Sequence, residues 1–237
     1  MKKLIVLLLC SFLSFGLNAQ SVIGAWETFS TAENGDKLKS VVIFADGYQV
    51  ISTYDNATGK FLGTNGGTWK LEGNTMTEIV EFNSMNPETV GMESVFKVQI
   101  TDNEMQIVGS DMQLKRLDNG TPGNLQGAWL MSGRVRNGNT EARDTSRPRK
   151  TMKILSGTRF QWIAYNTETK QFSGTGGGTY TTIDGKYTEN IEFFSKDNAK
   201  AGLSLSFNFE LVDGDWTHTG FSSKGDPIHE IWSVRKQ

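Results

Sequence analysis

Cysteine is almost missing from this 237-residue chain; the single one, Cys10, lies in an N-terminal apolar run. Beyond that run no disulfide and no thiol nucleophile can form. Proline is scarce, at four residues, and histidine scarcer, with only His218 and His229. The chain contains no GxSxG, no HExxH and no Walker loop, so none of the common catalytic signatures applies. A formal charge of −2 offers no basic surface to nucleic acid. His218 and His229 fall on separate predicted strands at a spacing that specifies no metal geometry. No catalytic residue set, no metal and no cofactor is therefore expected. After residue 20 there is also no convincing helical pattern and no apolar run long enough to span a bilayer.

The first residues have their own logic. Lys2 and Lys3 precede an apolar stretch from Leu4 to Leu17, and Leu17-Asn18-Ala19 supplies a small-residue exit before Gln20. Residues 1–19 read as a secretion signal cleaved after Ala19. Leu9, directly before Cys10, does not suit lipidation at that cysteine. The expected address is the periplasm or the medium, with the outer surface as a variant.

What the chain does have is a duplication. Shifted by 111 residues, positions 44–109 fall on 155–220 without a gap, and 17 of the 66 pairs are identical. The matches cluster in GTNGGTWKLEGNTMTEIVE from Gly63 to Glu81 and GTGGGTYTTIDGKYTENIE from Gly174 to Glu192. Outside this window Gly24-Ala25-Trp26 answers Gly127-Ala128-Trp129, and Arg116 answers Arg235. A motif returning at a fixed offset means a repeated fold unit. The expected division is residues 20–118, a linker over 119–124, and residues 125–237.

Within each copy apolar and polar residues alternate, and turn signals such as Asp184-Gly185 and Asp213-Gly214 separate the runs. Asp-Gly between alternating runs predicts a hairpin. About eight short strands follow in the second copy, near 127–134, 149–155, 158–165, 170–182, 186–194, 203–212, 215–220 and 228–235. Consecutive hairpins make a meander, and eight strands close into an up-and-down barrel without exposed edges. The prediction is all-β: two tandem eight-stranded up-and-down antiparallel barrels that share a contact face. Gly176, Gly177 and Gly178 are expected to let one strand bend sharply in a small barrel. A phosphate cradle would need a helix after the strand, and none is expected.

Each copy opens with Gly-x-Trp and closes with Arg, as Trp26 with Arg116 and Trp129 with Arg235. This pattern resembles the lipocalin (calycin) family. The second copy, from Phe160-Gln161-Trp162 through GGTY, YTENIEFF and WTHTG to HEIWSVR, is similar to small lipocalin-like domains of exported bacterial proteins. The resemblance implies a barrel whose last-strand Arg packs across the first-strand indole as a cation–π pair, closing the barrel. It brings no activity with it.

The residues themselves suggest where a ligand would sit. At matched sites Met76, Met105, Ile107 and Ile51 become Tyr187, Trp216, His218 and Trp162. An apolar pocket with a few polar groups is the usual form of a small-molecule site. The ligand set expected in the second barrel is Phe160, Trp162, Tyr180, Tyr187, Glu189, Trp216 and His218. Positions three apart on a strand face opposite ways, so of Glu189 and Glu192 one points in. Tyr187, Glu189, Ile191 and Phe193 are expected to line the interior, with a tyrosine, an Arg or His218 partnering Glu189. The lipocalin resemblance implies that the Arg-rich segment Arg134 to Lys150 is the first connecting loop and covers the open end of the barrel. There Arg136, Arg143, Arg147 or Arg149 can meet an anion. Three functions remain open: an exported binder of a partly apolar or anionic small molecule, an interaction module with filled barrels and an envelope partner, and an enzyme using Glu189, His218 and a tyrosine.

Overall fold

The computed structural model describes residues 21–236, so the expected signal segment lies outside the described residues. The fold is all-β. The first barrel comprises β1 (Gly24–Thr31), β2 (Lys37–Ala45), β3 (Tyr48–Asp55), β4 (Phe61–Glu72), β5 (Thr75–Asn83), β6 (Glu93–Ile100), β7 (Glu104–Ile107) and β8 (Gln113–Asp118). Each strand pairs antiparallel with the next, and β8 returns to β1. The second barrel comprises β9 (Gly127–Arg136), β11 (Arg149–Leu155), β12 (Arg159–Asn166), β13 (Phe172–Ile183), β14 (Lys186–Phe194), β15 (Ser204–Val212), β16 (Asp215–Phe221) and β17 (Pro227–Val234). It closes through β17 and β9.

The segment expected as a plain loop carries one more strand, β10 (Asn139–Ala142), which folds back on β9. Asn137 and Gly138 both have positive φ, 51° and 77°, the backbone of a tight type I′ hairpin. The hairpin extends β9 past the barrel rim.

The glycine strand earns its shape from close backbone contact. A Cβ on Gly67 would lie 1.9 Å from the Ile79 carbonyl oxygen, and one on Gly178 would lie 2.0 Å from that of Asn190. Any side chain is excluded at both places. The register shifts at the same points, between Gly66 and Gly67 and between Gly177 and Gly178. Such a bulge inserts one residue and reverses the alternation beyond it. Glu189 and Ile191 therefore face inward, as expected. Phe193 does not: it stacks on Tyr54 of the other barrel, with centroids 4.8 Å apart.

Both first-strand tryptophans donate their indole N–H four residues back, Trp26 to Val22 and Trp129 to Leu125, each at 2.9 Å. Arg116 lies over Trp26 at 3.9 Å and spends its guanidinium on the carbonyls of Ser21, Ile23 and Asp102. Arg235 departs from that pattern. Arg116 sits directly opposite Trp26, whereas Val234 takes the place opposite Trp129. A one-residue slip sends the following side chain to the other face. Arg235 crosses to the first barrel, 4.1 Å over the Tyr48 ring, and binds Glu81 at 2.7 Å.

The shared face has pseudo-twofold symmetry. Tyr54 donates to Glu192, and its equivalent Tyr165 donates to Glu81. Phe61 and Phe172, equivalent to each other, stack at 6.1 Å near the middle. Gln161 bridges the equivalent hydroxyls of Thr64 and Thr175 at 2.9 and 3.0 Å. At the edge, the Asp118 carboxylate accepts four bonds from Ser156, Gly157 and Thr158, latching the end of β8 to the β11–β12 turn. Burial raises the Glu192 carboxyl, but Arg159, Tyr54 and Lys39 outweigh it and hold the group below its ordinary value. A depressed carboxylate contributes stability above its unfolded pKa and loses it as pH falls through the folded value. We expect Glu192→Gln to cost about 1–2 kcal/mol at neutral pH. Urea denaturation should show that cost shrinking below the ordinary carboxylate range.

Candidate functional site

The two barrels differ in what fills them. In the first, Met76, Met105, Ile51 and Ile107 pack inward, leaving about 90 Å³. In the second, a cavity of about 270 Å³ opens above a layer of aromatic rings. Trp162, Lys153, Glu189, His218 and Glu230 supply its chemically distinctive walls.

Lys153 comes from the inward face of β11 and pairs directly across from Trp129. Val42 holds the same place opposite Trp26 in the first barrel. The Lys153 ammonium is nearly fully buried and donates to Glu189 at 2.7 Å. It also sits within 5.0–5.2 Å of the Tyr187, Trp216 and Trp232 ring centroids. A buried charge needs such a partner, and the surrounding ring faces favour a cation. Glu189 thus finds a lysine in place of the Arg or His218 expected for it, while the expected tyrosine is Tyr187, whose hydroxyl pKa is raised by burial and then by the Glu189 carboxylate.

His218 is 1% exposed, and neither ring nitrogen has a hydrogen-bond partner among the described residues. Burial, reinforced by Lys153, pulls its pKa well below the ordinary histidine value, so the ring is neutral. A neutral imidazole carries one donor and one acceptor, and here both are unspent on a cavity wall. Glu230 stands opposite His218 across β16 and β17 and accepts the Trp232 indole N–H at 3.2 Å. Burial raises its carboxyl above the ordinary range, although Lys153 opposes the shift. His229, one residue earlier, faces the opposite side of β17 and does not converge with His218.

Of the seven residues expected to form the site, Trp162, Glu189 and His218 line the cavity. Phe160, Tyr180, Tyr187 and Trp216 form the packed aromatic layer beneath it. Tyr180 gives its hydroxyl to the Ser156 carbonyl at 2.6 Å. Its equivalent Trp69 gives its N–H to Ala45, so this bond is a shared part of the fold. The Tyr187 hydroxyl and the Trp216 N–H have no partner among the described residues. Lys153 and Glu230 escape a reading by residue type. Their signal is positional: each occupies an inward slot in an alternating strand.

The first barrel retains the equivalent acid without the lysine. Burial alone raises Glu78 to about 7. Its contribution is present below the unfolded carboxyl pKa and lost as pH rises through about 7. Urea denaturation at acid and alkaline pH should find stability falling across that window, and Glu78→Gln should flatten the fall. In the second barrel, Lys153→Met should cost about 3–5 kcal/mol by leaving Glu189 buried and unpaired. Adding Glu189→Leu should restore most of that loss in the same assay.

Among the described residues no helix is long and apolar enough to cross a membrane. No curated protein matches the chain. Residues 124–236, the second barrel with the end of the linker, match a family model described as Domain of unknown function (DUF4488).

Proposed function

We propose that this is an exported binding protein that holds a small, partly apolar molecule in its second barrel. The observation that carries the reading is His218: a neutral, buried ring with both nitrogens unspent, on the wall of the larger of the two cavities. Unpaired buried polar groups are costly, and a ligand hydroxyl, carbonyl or amide would satisfy them. Apolar side chains such as Ile191, Leu205 and Ile228 would hold the rest of that ligand. The lipocalin resemblance and the closed barrel agree with this use. The first barrel, with little free space, serves as a support that shapes the shared face. Export rests on the character of residues 1–19.

An interaction role is the second reading for the first barrel, favoured by the exposed Ile79, Met92 and Val95 around β5 and β6.

Native mass spectrometry of protein purified from its own host provides the test. The expected result is one small molecule per chain, lost on Trp162→Ala and on His218→Ala but retained on Ile51→Ala in the first barrel. A bare mass from every preparation, with no apolar probe binding in titration, would overturn the proposal.

A further inference from the structure

The β9–β10 hairpin does more than lengthen a strand. With the residues after it, it walls a cleft of about 620 Å³ lined by Arg134, Arg143, Arg147 and Arg149. Two of these are neutralised, Arg134 by Glu141 at 2.7 Å and Arg147 by Asp144 at 3.4 Å. Arg143 and Arg149 have no carboxylate partner among the described residues. Arg143 is also half-buried, and its contacts are weak ones for a guanidinium: the Thr151 hydroxyl at 3.2 Å and the Met131 sulfur at 3.6 Å. Burial lowers its proton affinity, and the charges of Arg149 and Arg134 lower it further. Four arginines against the two carboxylates Glu141 and Asp144 leave a cationic excess that an anion would relieve.

The cleft adjoins the inner cavity. Met131 borders both the cleft and the inner cavity. Thr151, which accepts from Arg143, lines that cavity too. These two residues set the Arg143 guanidinium directly behind the cavity wall. The inner space is about 270 Å³. Its interior carries one cation against two carboxyl groups, Lys153 against Glu189 and Glu230, so it offers little to a buried anion.

We infer that the arginine cleft is an anion-binding vestibule, and that the ligand of the second barrel is an amphiphile with a negatively charged head at Arg143 and Arg149, an apolar body, and a neutral hydrogen-bonding group at its inner end facing His218. This rests on the binding role proposed above and narrows its ligand class. Arg136, also expected near the mouth, is not among the residues lining the cleft.

Two probes of equal chain length separate the claims: a hydroxydecanoate with its hydroxyl at the far end, and the corresponding decanediol. Calorimetric titration of the full chain should find the acid bound at least about tenfold more tightly at low salt. High salt should erode that preference, because exposed charges are screened. Arg143→Gln should abolish it. Arg149→Gln, on an exposed side chain, should reduce it without any question of folding. Equal affinity for the two probes, or a preference that survives both substitutions, would overturn the anion vestibule and leave the barrel site intact. Failure of both probes to bind would count against the barrel site, and the vestibule reading would fall with it.

Discussion

Two backbone contacts set the form of this protein. At Gly67 and at Gly178, β4 and β13 run so close to the next strand that not even a methyl group fits. The bulge that accompanies each contact reverses the alternation of β5 and β14. Before it, Glu78 and Glu189 point into their barrels; after it, Phe82 and Phe193 point out with Glu81 and Glu192. Those outward groups build the shared face, through Tyr54 with Glu192 and Tyr165 with Glu81. One steric constraint, present twice, thus shapes both the interior and the contact between barrels.

On that common frame the two interiors have diverged. Where the first barrel has Val42, Ile51, Met105 and Ile107, the second has Lys153, Trp162, Trp216 and His218. The first set are flexible or compact hydrophobes that fill space. The second set leaves a larger cavity and brings charge and hydrogen-bonding capacity into it. Glu78 and Glu189 show the contrast within one position. The first is held protonated by burial up to about 7, while the second has its lysine. A filled barrel and an open one therefore share a scaffold but not a chemistry.

Much of this was legible in the sequence because it depends on local chemistry. The repeat, the strand rhythm, the Asp-Gly turns and the inward Glu189 all follow from short-range pattern. The pairing of Arg116 with Trp26 followed from the family resemblance. The departures have separate physical causes. Arg235 and Phe193 depart from the alternation because a one-residue shift in register, invisible in composition, moves a side chain to the other face. Lys153 was overlooked because a lysine in a strand reads as surface unless the opposite strand is known. The β10 hairpin hid behind a run of arginines, although Asn137-Gly138 carried its turn signal.

Under the proposed function the second barrel, not the first, is the ligand chamber. Methyl NMR of the full chain with decanol as a neutral probe tests it most directly. Saturable shifts are expected at Ile191, Leu205 and Ile228, with Ile51 and Ile107 of the first barrel unmoved. Shifts confined to Ile51 and Ile107, or spread equally over both barrels, would contradict it.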